Sequence, residues 1–426
     1  SVRSHGPVGR TDALVMKALF VAYGGGHMAM VLPVLRALRE ECPGVQCVLL
    51  ALTTGHAMAR TAGEGVVGYR DFVHLVDGAE VQRWGERLSA GMDNPDVTHA
   101  ESVAYLGVNY LDLQQQHGEA EAARRFARAG RFSFLPLNFM RKIIAAVQPD
   151  VVVATNAPRS EQAVLAAAVE LGVPSVGMVD LFGLDSDPYV LRSIKPSRTC
   201  VLTSSVRDRL LARGFPPTGV RVTGNPAFDG LFDPSNQAAG REFLQRRGWL
   251  GKKVILNVGA SEPVAHATTD TPAGRMLPMA VEQILRRYVR ERPDWALIQR
   301  YHPAEWASYP RLPDESRVHF SEPPLEPIHP LVYAADVLVC TNSTVALEAS
   351  IAGKFVVSIE NSPSVHHWFS MADMGIAYPC PTHHDLPAVL EQVVASAQPL
   401  PPIQADGGSA TRVAKVIAEL AAHACG

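Results

Sequence analysis

The chain has 426 residues, 47% of them apolar and 19% charged, with 33 Gly and 32 Pro. At ~100–200 residues per domain this describes a multi-domain globular protein, and the composition excludes collagen, coiled coil and wholesale disorder. A formal net charge of −3 provides no global field to hold DNA or RNA by its phosphates, so nucleic acid is not an expected partner.

Ser1–Val15 lacks the apolar region of a secretory signal. Met16, directly before the first strand pattern, is a candidate natural start, and the residues ahead of it are left out of fold reasoning as a leader. No run approaches the ~18 apolar residues of a membrane-spanning helix. The six cysteines (Cys42, Cys47, Cys200, Cys340, Cys380, Cys425) show no CxxC or metal-finger spacing, which predicts reduced thiols in the cytoplasm.

In chain order, short β-branched runs alternate with longer helical patterns, the signature of parallel sheets with crossover helices. The first half predicts strands at Lys17–Tyr23, Gln46–Leu52, Phe72–Val76, Asp150–Thr155, Pro174–Val179, Thr199–Thr203 and Val220–Gly224, with helices at Val31–Glu41, Arg159–Leu171 and Ser205–Arg213. The interval Asp77–Gln148 reads as helical. Within it Arg124, Arg125, Arg128 and Arg131 run into Phe132, Phe134, Leu135, Phe139 and Met140. This is either a basic-aromatic surface for a membrane or lipid-linked acceptor, or an amphipathic helix followed by a core helix, and the second reading is favoured.

A break is expected around Phe232–Gly251, with Asp233 to Asn236 as a loop. Strands then resume at Lys253–Gly259, Trp295–Arg300, Arg317–Phe320, Asp336–Thr341 and Phe355–Ile359. A second loop, Gln398–Gly408, carries Pro399, Pro401 and Pro402 ahead of an Ala-rich terminal helix. The expected division is therefore a domain over 1–235, a domain over 236–408, and a helix over 409–426 packing back on the first.

Four strand ends carry chemistry. Tyr23-Gly24-Gly25-Gly26-His27 places three glycines between a strand and a helix N-terminus, where free N–H groups meet an anion and His27 can act as a general base. It is not a dinucleotide fingerprint, because GxGxxG is absent. Cys340-Thr341-Asn342-Ser343-Thr344 supplies donors for a diphosphate, and Glu348, one turn into the next helix, can accept from ribose hydroxyls. Gly259-Ala260-Ser261-Glu262 and Arg300-Tyr301-His302 end two neighbouring strands, with Arg300 and His302 able to neutralise phosphate and Ser261 able to donate. A fourth loop, Glu360–Trp368, holds Asn361, Ser362, His366, His367 and Trp368. No carboxylate or cysteine completes a metal set there, and a sugar or base contact is preferred. Each feature has a plainer reading: a tight turn with a solvated histidine, a helix N-cap, or a polar loop end.

Together these residues resemble the GT-B superfamily of sugar-nucleotide enzymes, with two Rossmann-like domains facing across a cleft. Gly24–His27 and Thr344-Val345…Glu348…Ala352-Gly353 resemble the peptidoglycan N-acetylglucosaminyltransferase family. Val222 to Asp229, His302-Pro303 and the same Glu348 to Gly353 spacing resemble the UDP-N-acetylglucosamine 2-epimerase family. The latter carries an arginine-bearing first turn, an acidic residue after the strand matching Asp150–Ala154 and a Glu-Ala-Gly-Leu-Arg-like run after the next; here those places read Tyr23-Gly24-Gly25-Gly26-His27, Thr155-Asn156-Ala157-Pro158-Arg159 and Val179-Asp180-Leu181-Phe182-Gly183, which disfavours epimerisation.

The resemblance implies a cytoplasmic glycosyltransferase of the hexosyltransferase type that moves a sugar from a nucleotide-diphosphate donor, a UDP-sugar, to an acceptor hydroxyl. Donor contacts would be Gly259, Ser261, Glu262, Arg300, His302, Asn342, Ser343, Thr344 and Glu348. A sugar, lipid-linked or small-molecule acceptor would meet Gly25, Gly26, Thr155 and Asn156, with His27 or Asp180 as catalytic base. Neither metal nor another cofactor is expected. The alternatives are an epimerase-type isomerase or hydrolase, and a non-catalytic subunit that binds a nucleotide sugar.

Overall fold

The computed structural model describes residues 15–92, 96–396, 400 and 403–424. Residues 1–14 of the proposed leader, Pro399, Pro401, Pro402 and Cys425 lie outside the described residues. Two compact units are present: Ser1–Ala227 with Gly408–Gly426, and Phe228–Gly407.

The first unit is built on a parallel sheet of β1 (Lys17–Ala22), β2 (Gln46–Ala51), β3 (Val151–Thr155), β4 (Ser175–Met178), β5 (Arg198–Val201) and β6 (Val220–Val222). Its order is β2-β1-β3-β4-β5-β6, with Phe20 of β1 opposite Leu49 of β2 and Val153 of β3. Every residue of β3 is buried, as expected of a strand covered on both faces. One face packs Phe20 and Val151 against Val34 and Leu38 of helix Gly26–Glu41 and Val413 and Ile417 of helix Ser409–Ala424. The terminal helix is thus part of this unit's core.

Between β2 and β3 lie helices Gly78–Ser89, His99–His117, Glu119–Ala129 and Leu137–Val147. The first two cross at glycines: a Cβ on Gly107 would come 2.0 Å from the Val81 carbonyl, and one on Gly85 2.2 Å from the Val103 carbonyl. The basic-aromatic run resolves into core and surface. Phe134, Phe139 and Met140 are buried, Arg124 and Arg125 pair with Glu121, and Phe132 is left exposed. The strand expected at Phe72–Val76 is instead a 3₁₀ turn, Tyr69–Leu75. Glu101 accepts the N–H groups of Tyr69 (2.7 Å) and Arg70 (3.2 Å), while the bridge to β2 is made earlier, by Val67 to Leu50.

The second unit holds β7 (Lys253–Gly259), β8 (Trp295–Tyr301), β9 (Val318–Ser321), β10 (Val337–Cys340), β11 (Phe355–Ile359) and β12 (Tyr378–Cys380), all parallel, in the order β12-β11-β10-β7-β8-β9. Ile255, Leu297, Val337 and Val357 pack on Leu285 and Leu390. β12 was not anticipated: it is three residues long, contains Pro379 and lies at the edge, where a missing N–H is tolerated.

The expected loop Asp233–Asn236 is also corrected. Pro234 opens helix Pro234–Arg246, and the Asp233 carboxylate caps it by accepting from the Ser235 N–H at 2.9 Å. This helix packs on Ile328–Ala334, with Gly240 against the Pro330 carbonyl. It therefore belongs to the second unit, and the division falls between Ala227 and Phe228 rather than after residue 235. Among the described residues no helix is long and apolar enough to cross a membrane, and the five described cysteines are free.

Candidate functional site

In an open parallel sheet, ligands bind beyond the carboxyl ends of the strands where the strand order reverses. That point lies between β1 and β3 in the first unit and between β7 and β10 in the second. Each unit has a polar cluster there.

In the first unit, Gly24 is required by close approach. A Cβ there would sit 1.8 Å from Thr54 Oγ1, so the turns after β1 and β2 touch. Gly25 has φ 65°, a left-handed conformation that side chains disfavour, and opens the helix that carries His27 in its first turn. His27 is half-buried and its Nδ1 has no hydrogen-bond partner.

Two carboxylates respond to His27. Glu161 is fully buried and accepts from the Tyr23 N–H at 2.5 Å. Burial pushes its carboxyl up, and the His27 charge opposes the rise. Asp187 is also held above the usual carboxylate range by burial, against hydrogen bonds from Tyr189 N–H and Asn156, with Asp180 reinforcing the rise and His27 opposing it.

Asn156, 7% exposed, joins these groups. Its Nδ2 donates to Asp180 Oδ1 at 3.0 Å and Asp187 Oδ2 at 2.8 Å, while its Oδ1 accepts from the Asp180 N–H at 3.1 Å. Asn225 Nδ2 fixes the Asp180 carbonyl at 2.8 Å. The structure therefore brings Asn156 and Asp180 together and adds Asp187 and Glu161, which sequence reasoning missed. Thr155 is corrected: it is wholly buried at the end of β3, so its side chain cannot meet an acceptor.

In the second unit a cavity of about 400 Å³ is lined by Gly259, Arg300, His302, Asn342, Ser343 and Thr344, together with Tyr301 and Ile328. Arg300 is nearly buried. It lines the cavity and its Nη1 donates to Ser321 Oγ and the Glu326 carbonyl, each at 2.8 Å. Glu348, 9% exposed, sits in helix Val345–Ile351 and lies close enough to Arg300 for their charges to interact. Glu348 Oε2 is shielded and makes no hydrogen bond, although His329 Nε2 is 3.3 Å away, which is ion-pair distance without hydrogen-bond geometry.

Two expected donor contacts are corrected. The Ser261 hydroxyl is bonded to the Glu305 carboxylate and, at 3.2 Å, to Tyr309, and Ser261 N–H donates to the same carboxylate at 3.1 Å. Glu262 is buried, its Oε2 accepting from Ser362 Oγ (2.7 Å) and Ser364 N–H (2.8 Å), which ties the loops after β7 and β11 together. A short helix, Pro363–His367, carries His366 and His367, whose rings lie 6.4 and 5.9 Å from that of His266. Among the described residues no group of three or more His, Cys, Asp or Glu side chains is placed to hold a metal ion.

No family model and no curated protein matches the chain. Solved structures do. A putative UDP-N-acetylglucosamine 2-epimerase from Listeria monocytogenes is 15% identical, with a TM-score of 0.60 over 95% of this chain and 96% of that one. The UDP-GlcNAc 2-epimerase from Methanocaldococcus jannaschii is 14% identical, with a TM-score of 0.59 over 95% and 100%. The S. aureus MnaA–UDP co-structure is 13% identical, with a TM-score of 0.57 over 94% and 95%. At such identities the likeness is one of fold: the chain has the two-Rossmann GT-B architecture that its motifs implied.

Proposed function

We propose that the protein is a UDP-sugar enzyme of the isomerase or hydrolase type, which changes or releases the sugar of its nucleotide sugar without a second sugar as acceptor. In this reading the second unit holds the nucleotide, with Glu348 on the ribose and Arg300, Ser343 and Thr344 on the diphosphate. Glu348 Oε2, which makes no hydrogen bond, in the helix that follows the cavity-lining Asn342–Val345, supports that assignment. The free thiols are compatible with a reducing, cytoplasmic setting.

The observation that carries the reaction class is the Asp180–Asn156–Asp187 cluster. Inverting a sugar carbon needs one group to remove a proton and a second to return one on the opposite face, and hydrolysis needs an acid for the leaving group. Two carboxyl groups joined by one amide, one of them raised by burial, suit such paired acid–base work. The sequence disfavoured this reading because Asn156 stands where an acid was expected. Asp187, thirty-one positions on, supplies a carboxylate at that place instead. The likeness to structures described as UDP-GlcNAc 2-epimerases supports the same class.

Transfer to an acceptor hydroxyl keeps one observation in its favour. His27 beside the buried Glu161 carboxylate is a single supported base, which is all that transfer requires. Incubation with UDP-N-acetylglucosamine alone in D₂O decides between the two. Inversion at C2 with deuterium incorporation, or release of UDP and free sugar, is expected. Turnover that begins only when an acceptor sugar is added would establish transfer.

A further inference from the structure

The chain leaves the first unit at Ala227 and returns to it at Gly408. Both ends are tied to the segment Thr223–Asn225, directly after β6. Arg412, near the start of helix Ser409–Ala424, donates from Nε to the Thr223 carbonyl at 2.9 Å. Gly224 has φ 80°, and a Cβ on it would come 2.5 Å from Ser409 Oγ, so glycine lets this segment lie against the returning helix.

Asn225 links the segment to the acids. It is 5% exposed. Its Oδ1 accepts from the Ala227 N–H at 2.9 Å, at the start of the 3₁₀ turn Pro226–Phe232. Its Nδ2 donates to the Asp180 carbonyl at 2.8 Å, 45 positions away in sequence. A cap needs only the oxygen, which serine or threonine also supplies. The amide has a donor besides, and that donor holds one side of the Asp180 backbone while Asn156 Oδ1 holds the other through the Asp180 N–H at 3.1 Å. With both peptide groups of Asp180 fixed, its carboxylate stays on Asn156 Nδ2, beside Asp187.

We infer that Asn225 is a positioning residue for the Asp180 carboxylate, and that through it the Asp180–Asn156–Asp187 cluster depends on the segment where the chain passes between the units. The link is a contiguous chain of hydrogen bonds running from the Ala227 N–H through one buried amide to Asp180. Its bearing on turnover rests on the proposed isomerase or hydrolase reading, in which a displacement of about 1 Å costs roughly 10²-fold in rate.

The test has one readout that needs no turnover. The charged groups whose fields reach Asp187 are Asp180, His27 and Arg192, and of these Asp180 alone adds to the upward push of burial on the Asp187 carboxyl. An Asp180 that drifts from its place relieves that push. In full-length protein carrying ¹³C-labelled aspartate, with the resonance assigned by Asp187→Asn, the Asp187 titration should therefore move to lower pH in Asn225→Ser, which keeps the cap and removes the donor. With UDP-N-acetylglucosamine the same variant should lose roughly 10–100-fold in kcat with KM within about twofold. Asn225→Thr, which also caps, decides by the same titration should the serine variant not fold. An Asp187 titration at its parent position, a parent kcat, or a loss confined to KM would overturn the assignment and leave Asn225 a cap alone. A parent protein without turnover overturns the UDP-sugar reading instead, and the titration still decides this one.

Discussion

The two units share a parallel six-stranded design and place polar groups at the same topological point, yet they equip it differently. In the first unit the groups near the strand ends are one buried carboxylate, Glu161 on Tyr23 N–H, and two half-buried ones, Asp180 and Asp187 on Asn156. In the second, Asn342, Ser343, Thr344 and Arg300 line a cavity, with Arg300 anchored to Ser321 and Glu326 and with Glu348 in the helix that follows, at ion-pair distance from His329. Fixed, desolvated acids suit proton transfer, whereas a partly satisfied cationic cavity suits binding. On the proposed reading the first unit would supply the reactive acids and the second the nucleotide cavity.

That contrast can be broken most sharply at the carboxylates. Asp187→Asn and Asp180→Asn should each lower turnover by roughly 10²–10⁴-fold while UDP affinity by calorimetry stays within a factor of about two. An equal loss of UDP binding would merge the two roles. The mirror experiment is Glu348→Ala, expected to weaken UDP by about 10–100-fold, since a hydrogen bond to a charged group contributes ~1.5–3 kcal/mol. Wild-type UDP affinity in that variant would remove Glu348 from the ribose.

A smaller effect concerns stability. Burial raises the Glu161 carboxyl in the folded state, so the folded chain favours its protonated form more than the unfolded chain does. Its contribution to stability is present below the unfolded carboxylate pKa and is lost as pH rises through the folded value. Glu161→Gln should therefore gain stability relative to the parent as pH rises from about 4 to 7 in urea titrations, and the difference should vanish at the acid end. A gain that is independent of pH would indicate a packing effect. The smallest change is expected for Ser261→Ala. With that hydroxyl engaged by Glu305 and Tyr309, UDP affinity should shift by less than about twofold.

The fold was legible because fully buried parallel strands must be apolar throughout, and Val151–Ala154 and Val337–Cys340 are. Where local pattern and tertiary bonding disagreed, tertiary bonding prevailed. Phe72–Val76 has a strand's composition, but Glu101, some thirty residues away, takes the N–H groups that open its turn. Tyr378–Cys380 is too short to show a period, and its proline argues against a strand everywhere except at an edge.

The cavity of the second unit was legible, because hydroxyl and amide residues directly follow a strand at Thr341–Thr344. The Asp180–Asn156–Asp187 cluster was less so. Asp187 lies in Asp185-Ser186-Asp187-Pro188, which reads as an ordinary turn and helix start, and its cap to Tyr189 is the role such a residue plays anywhere. Its second bond, to Asn156, depends on two distant strand ends meeting. Ser261 and Glu262 failed for the opposite reason: they follow β7 as donors should, but the loop turns them to Glu305, Ser362 and Ser364.

The helix Ser409–Ala424 places Val413 and Ile417 against Val34 and Leu38 of the helix that presents His27. The first unit is therefore built from two segments that flank the second, which is continuous in sequence. During synthesis the second unit can complete its core while the first still waits for the helix Ser409–Ala424, with an apolar face of the His27 helix uncovered on the nascent chain. Folding of the first unit in this way follows synthesis of the whole of the second.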